Sequence, residues 1–436
     1  MKTRLGLTLL VASLAGACTE EPADGGSKGS GAGKGSGTSG GGGAASNVLD
    51  DSPFIAEAEL ERMVTYLASD ELAGRRPGTP GGLAARAFIV KELERCGIAP
   101  LAAGSYEQPV AAMDGSANVL GVVRGSDPRR QERHVILSAH YDHLGQQGPS
   151  IYRGADDNAA GVAIALGIGC AIAASPAPRS VVIAAWDAEE PPTFLTPRMG
   201  SQHYAQNPVV PLEQTDVVVA LDLVGSDIWP GYGGHFYLGS ELSAGVASAL
   251  ETVAVPYGLL LLRGGLHLAE EQPLGLGRQP WSDYDAFRNL AKPVLFVSNG
   301  QNKRYHTPAD TVDALSLPKM ALEAKALLRV VTTLASAESD PIFDAAGADY
   351  ATDAVTVKTV LGAALAPGGL VDALGLSAAS RAKLETDLAD ATAIAAKLAA
   401  PGATASEQEI RRLRDGTQRV MCLAGSMYEE RVCSVF

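Results

Sequence analysis

Aromatic residues are scarce in this 436-residue chain, at 5%, so the core must be built from Val, Leu, Ile and Ala. Basic charge is also short. Lys and Arg number 35 against 49 Asp and Glu, a formal net charge of −14. A protein whose main partner is nucleic acid needs a basic face for phosphate, so that class is excluded. Past the N-terminus no stretch of roughly 18 apolar residues runs without Gly or polar breaks, and no transmembrane helix is expected in the mature chain. Cysteine is rare, five in all, and internal repeats are not visible. The length suits one large α/β domain with an appendage.

What is present begins with a leader. Lys2 and Arg4 precede an apolar run from Leu5 to Leu14, and the small residues Ala15, Gly16 and Ala17 precede Cys18. That order reads as a secretory signal. Small residues before a Cys resemble a bacterial lipoprotein cleavage box, although Ala15 holds the place where Leu is usual. Residues 1–18 are therefore expected to direct export, with Cys18 carrying a lipid anchor. Residues 19–49 are rich in Gly and Ser, bury too little to fold, and read as a flexible tether. The expected location is the cell envelope, periplasm or cell surface, with the membrane reached only through Cys18. The oligomeric state is not legible.

The main folded domain is expected over 50–340. Ser52-Pro53 opens a helical stripe of Ile55, Ala58, Met63, Tyr66 and Leu67, and Thr79-Pro80 caps a second helix that Gly97 ends. Strands are expected over 118–123, 134–140, 181–186, 216–221 and 293–297, with helices over 159–174 and 240–253. This alternation predicts an α/β fold, a largely parallel mixed sheet with helices on both faces. From about Pro341 the strand pattern stops, and Ala-rich segments predict a C-terminal helical appendage over 341–436. Cys422 and Cys433 are candidates for a disulfide in an exported chain. Cys96 and Cys170 fall in predicted helices and read as buried small apolar residues, with pairing between them left open.

Residues with metal-binding chemistry collect at the strand ends. His140 closes the apolar run Val135-Ile136-Leu137, and Asp142 follows at His-x-Asp spacing. His140 can face a metal while Asp142 holds the other ring N–H. Glu189-Glu190 follow one strand, Asp222 another, and His306 comes after the last. Asp157 opens the loop into the buried helix. Each alone reads as a cap, turn or loop residue. Together they fall where an open α/β sheet has its ligand cleft, beyond the carboxyl ends of the strands. Two His and three carboxylates suit two Zn²⁺ ions that share a carboxylate and a bridging water. Neighbouring side chains at a strand end point apart, so one Glu can bind metal while the other acts as general base.

The motifs Ser-Ala-His140-Tyr-Asp142-His-Leu-Gly, Gly-Ala-Asp-Asp157-Asn-Ala-Ala-Gly, Glu189-Glu190, Asp222-Leu-Val-Gly, Ser282-Asp283-Tyr-Asp-Ala-Phe and Tyr305-His306-Thr-Pro-Ala-Asp resemble those of the secreted bacterial dizinc aminopeptidases. That clan also includes glutamate carboxypeptidase-like and glutaminyl cyclase-like members. The likeness runs from about Asp70 to about Asp313 and takes in Glu71-Leu72-Ala73-Gly74-Arg75. It implies the zinc exopeptidase fold (phosphorylase/hydrolase-like), peptide substrates, and loss of the N-terminal residue. It also implies one zinc on His140 and Asp222, the other on Glu190 and His306, and Asp157 bridging them. Glu189 would pass a proton from the bridging water to the leaving amine, and Tyr305 would polarise the scissile carbonyl. The choice of Asp157 over Asp156, and a cis peptide after Asp157, rest on the resemblance alone.

Two departures stand out. Pro191 to Met199 intervene between the Glu pair and Gly200-Ser201, which should add a wall beside the base. Trp281 stands where some aminopeptidases place an Arg before the Ser-Asp pair. Rival readings are a glutaminyl cyclase-like or carboxypeptidase-like enzyme on the same fold, and a binding lipoprotein with a dead site. The intact Glu189 argues against the last.

Overall fold

The computed structural model describes residues 51–110, 114–271 and 277–424. The expected signal, the tether, Cys18 and Cys433 lie outside the described residues.

In chain order the strands are β1 (Ala99–Pro100), β2 (Glu107–Pro109), β3 (Ala117–Val123), β4 (His134–His140), β5 (Gly145–Gln147), β6 (Ser150–Tyr152), β7 (Ser180–Trp186), β8 (Thr215–Leu221), β9 (Gly234–Leu238), β10 (Leu260–Gly264) and β11 (Val294–Ser298). Among the described residues, nine of them form one mixed sheet in the order β1-β3-β7-β4-β8-β11-β9-β10, with β2 beside β3. β5 and β6 form a separate ribbon. The centre, β7-β4-β8-β11, is all parallel. β3 runs antiparallel to β7, and β9 antiparallel to β11. The central strands are buried at every position, as their unbroken apolar runs require for a sheet covered on both faces.

The helices are α1 (Glu57–Leu67), α2 (Pro80–Arg95), α3 (Gly161–Ala174), α4 (Gly200–Gln206), α5 (Ala244–Thr252), α6 (Leu266–Ala269), α7 (Tyr284–Arg288), α8 (Leu317–Ser336), α9 (Tyr350–Leu365), α10 (Leu370–Leu374), α11 (Ala378–Leu398) and α12 (Glu407–Ala424). α1, α2, α3 and α8 share one apolar core with Val135, Leu137, Val181 and Val219. Tyr204 of α4 and Phe287 of α7 pack with Ile136, Val182 and Val218, the alternate residues of the same strands. One strand period therefore feeds two cores, one on each face. The expected cap on α2 forms, with Thr79 Oγ1 accepting the Gly82 N–H at 3.3 Å. Ala155–Ala174 is long and apolar enough to cross a membrane, but it is 89% buried within the protein.

Three readings need correction. Cys96, just after α2, and Cys170 of α3 form a disulfide with Cα atoms 5.2 Å apart. Helix periodicity marks each as buried but does not reveal that two helices cross there. Cys422 is also disulfide-bonded. β9 and β10 are strands within a stretch read as helix and loop. Each is short, and the Gly residues flanking β9 hide it. The helix expected over 240–253 is the shorter α5, preceded by a single turn at Ser240–Leu242.

The C-terminal helices build a third core. Leu361 and Ala364 of α9 pack with Leu384 and Ile394 of α11 and Leu413 and Val420 of α12. Leu262 of β10, Leu268 of α6 and Trp229 join the same cluster, so this layer closes over the β9–β10 edge of the sheet.

Candidate metal centre

Four adjacent parallel strands end on one edge, and each delivers a metal-binding side chain there. His140 is the last residue of β4, Asp222 the first after β8, Glu189-Glu190 follow β7 and His306 follows β11. His140 Nε2 lies 3.5 Å from Asp222 Oδ1 and 3.9 Å from Glu189 Oε2. His306 Nε2 lies 3.0 Å from Glu190 Oε2. Asp157 stands between these groups. Its Oδ1 is 3.3 Å from His140 Nε2 and its Oδ2 is 3.2 Å from His306 Nε2.

The backbone is shaped to hold this arrangement. Ala188, Leu223 and His306 all take left-handed φ of 54° to 59°, a conformation that costs non-glycine residues roughly 1–3 kcal/mol and clusters at working sites. The Asp157–Asn158 peptide is cis. Asn158 donates from Nδ2 to the Leu221 carbonyl at 2.7 Å, beside Asp222, and its Oδ1 accepts the Gly161 N–H at the start of α3. Arg75 is fully buried and donates to the carbonyls of Tyr141 and Gly154, at 2.8 and 2.9 Å. One guanidinium thus braces the segments carrying His140 and Asp157.

Geometry separates the two aspartates that the sequence could not. The Asp156 carboxylate accepts from the backbone of Gly225 and Ser226 and from Asn302 Nδ2 at 2.8 to 3.1 Å. It is consumed by loop contacts, while Asp157 faces the histidines. Asp310 accepts both the Asp156 and Asp157 N–H groups, at 2.9 and 3.1 Å, which fixes that turn.

Asp142 acts differently from the expectation. Its carboxylate oxygen is 3.8 Å from His140 Nδ1, whose nearer partner is the Asp142 carbonyl at 3.3 Å. The carboxylate instead accepts the N–H groups of Glu189 and Glu190, at 3.0 and 3.2 Å. The two glutamates lie in the turn beyond β7, not on the strand itself, so this clasp and the left-handed Ala188 aim them. Glu189 faces His140, and Glu190 faces His306.

Sequence reading gave His143 no role. Its Nδ1 lies 2.6 Å from Glu190 Oε1 and 3.8 Å from Asp157 Oδ2, and its ring meets His306 edge-on at 5.8 Å. The available signal was its place three residues after His140 in the same loop. Tyr305 stacks on His306 with ring centroids 3.8 Å apart.

These residues fit a bound cation. Two groups, His140-Glu189-Asp222 and His143-Asp157-Glu190, each bring their donor atoms within 4.8 Å of one another. Asp157 Oδ2, Glu190 Oε1, His306 Nε2 and both His143 ring nitrogens are buried without hydrogen-bond partners. Buried polar atoms left this way are costly unless something else binds them. The charges also part the glutamates. Burial pushes the Glu189 carboxyl well above its ordinary value, and the Asp222, Asp283 and Glu190 charges add to that against the pull of His140. Burial and the Asp157 charge would raise Glu190 too, but His143 and His306 outweigh them and hold it low.

Known proteins carry the same architecture. Residues 118–331 match peptidase family M28. The chain is 28% identical over 205 residues to the uncharacterized protein YfbL of Escherichia coli (strain K12), covering 43% of this chain and 62% of that protein, so it spans less than two thirds of that relative. The Legionella pneumophila LapA aminopeptidase superposes with a TM-score of 0.52 at 18% identity, over 68% of this chain and 75% of that one. The Porphyromonas gingivalis glutaminyl cyclase gives 0.50 at 19% identity, over 64% and 98%. At such identities the likeness to these structures shows the shared fold.

Proposed function

From the premise that residues 118–331 carry a peptidase family M28 domain, we propose that the protein is an exported zinc aminopeptidase that removes the N-terminal residue of peptides. The observation that carries this reading is the posture of Asp157, one oxygen toward His140 and the other toward His306, as a carboxylate shared by two ions would stand. His140 and Asp222 would hold one zinc, Glu190 and His306 the other. When bound, the pair supplies Lewis acidity and lowers the pKa of a water toward neutrality.

Glu189 makes the longest of the His140 contacts and is left free for proton transfer. It takes a proton from the attacking water and returns it to the leaving amine. Tyr305, neutral because burial pushes its phenol well above the ordinary value, donates to the carbonyl oxygen as charge develops there. The cleft gathers six buried carboxylates, Asp142, Asp157, Glu189, Glu190, Asp222 and Asp283. Two divalent ions offset four of those charges, so the cleft stays acidic. An acidic cleft favours the cationic amino end of a peptide over its carboxylate end.

The Cys96–Cys170 disulfide supports an oxidising compartment and hence export, with Cys18 as the proposed lipid anchor. Elemental analysis of purified protein, joined to a panel of aminoacyl amides, tests the enzymatic reading. About two zinc ions per chain and amide hydrolysis are expected, and active protein without transition metal overturns it. A glutaminyl cyclase-like enzyme is the second reading, favoured by Trp281 in the place of an Arg. Ammonia release from an N-terminal Gln peptide without cleavage would select it.

A further inference from the structure

An open cavity of about 870 Å³ lies between the sheet edge and the C-terminal helices, within the size range of small-ligand pockets, roughly 300–1,000 Å³. One side is Ile228, Trp281 and Gln301, and the other is Val357 and Val360 of α9 with Val420 of α12. The lining is mainly apolar.

The first side belongs to the loops of the metal centre. Ile228 comes two residues after Ser226 and Gln301 one before Asn302, and both Ser226 and Asn302 hydrogen-bond the Asp156 carboxylate next to Asp157. Trp281 comes two residues before the buried Asp283, whose charge bears on Glu189. The second side comes wholly from the appendage. Gly416, in the interior of α12, also lines the cavity. Glycine there weakens a helix relative to alanine, and it leaves the cavity open. A Cβ at 416 would sit 3.6 Å from side-chain atoms of Leu361 and Val357, an ordinary contact, so a larger side chain can enter without disturbing the backbone. The helices are pinned in place. Asp353 Oδ1 accepts the Gly265 N–H at 2.7 Å, and Arg414 pairs with Glu271.

We propose that the C-terminal helices are a working part of the substrate site, enclosing with the metal-centre loops a pocket for a large apolar side chain, such as Leu, Met or Phe, on the residue at the scissile bond. This rests on the peptidase reading above. It gives the appendage a task, and it makes residues 357, 360, 416 and 420 determinants of preference.

The test is calorimetric binding of free L-leucine, L-phenylalanine and glycine to the purified full-length protein, alongside kcat/KM for the matching aminoacyl p-nitroanilides. Wild-type protein should bind leucine and phenylalanine at least about tenfold tighter than glycine. Gly416→Leu should lower leucine and phenylalanine at least about tenfold more than glycine, in binding and in kcat/KM, the scale of a lost apolar contact in a pocket. Val360→Ala should shift preference from leucine toward phenylalanine, and it decides the matter if Gly416→Leu does not fold. Equal binding of the three ligands by wild type, or equal loss for all three in Gly416→Leu, overturns the proposal. Selective binding with no hydrolysis sinks the peptidase reading and leaves the pocket standing. Hydrolysis with no selectivity does the reverse.

Discussion

The carboxyl edge of the sheet and the C-terminal helical layer both gather charged residues, and they treat them in opposite ways. In the helical layer charges find one another. Lys397 meets Glu409 at 2.7 Å, Arg412 meets Asp390 at 2.8 Å and Arg419 meets Asp387 at 2.6 Å. At the sheet edge, carboxylates and histidines crowd together, yet Asp157 Oδ2, Glu190 Oε1 and His306 Nε2 stay without hydrogen bonds. A site arranged for its own stability completes such contacts. A site that leaves them open at buried positions is arranged for a visitor, and the carboxylate excess makes that visitor a cation. The edge carries chemistry, and the helical layer carries shape.

The largest effect that would sharpen this contrast comes from the ligands. His140→Ala and His306→Ala should each remove one ion's ligand, cut zinc from about two toward one per chain, and abolish most activity. Elemental analysis with a leucyl amide assay checks both. Retention of two zinc ions by either variant would break the contrast at its root.

Most of the edge was legible in the sequence because its residues punctuate apolar strands. His140 and Asp222 interrupt runs of Val, Leu, Ile and Ala that need both faces covered, and a buried strand end is a poor place for a polar residue without a task. The disulfide, the β9–β10 edge and His143 were not legible, because each depends on how separate elements meet. Asp142 was assigned to the right site with the wrong contact: spacing showed its closeness to His140, but only the turn after β7 shows that its carboxylate clasps the Glu189 and Glu190 backbone. The helices of the appendage were expected. Their place against the metal-centre loops was not, since apolar stripes on a helix do not name the surface they meet.

Asp310 should have the next largest effect. It binds no ion in this account and holds the Asp157 turn through two N–H groups. Asp310→Ala should weaken zinc affinity by about 10–100-fold, the usual cost of losing a group that orients a ligand. Competition with a chelator measures it.

Asp353 brings the helical layer into the comparison. It is buried and accepts from the Gly265 backbone. Asp353→Ala should cost about 1–3 kcal/mol by leaving that donor unsatisfied, read by denaturant unfolding, while zinc content stays at the wild-type value. Loss of zinc in this variant would erase the separation of chemistry from shape.

The smallest effect is a pH dependence at the same junction. Burial lowers the His267 pKa, but hydrogen bonds to Asp353 and Glu241, helped by their charges, outweigh it and raise the value to about 9. Tyr350 packs edge-on against the ring. A pKa raised above the ordinary 6.5 stabilises the folded state, fully below about pH 6.5, and the benefit fades as pH climbs through about 9. The Tm gap between wild type and His267→Gln should therefore be widest near pH 6 and narrow toward pH 10. A gap that widens with pH reverses the sign and the assignment.

The most direct test of the edge as a catalytic metal centre is zinc content and steady-state kinetics measured together on Glu189→Gln and Glu190→Gln. Glu189→Gln should keep both zinc ions and an unchanged KM while kcat falls by about 10²–10⁴, the usual cost of a lost general base. Glu190→Gln should lose metal first. If Glu189→Gln loses zinc while Glu190→Gln retains it, the two roles are exchanged, and if neither variant loses activity the chemistry lies elsewhere.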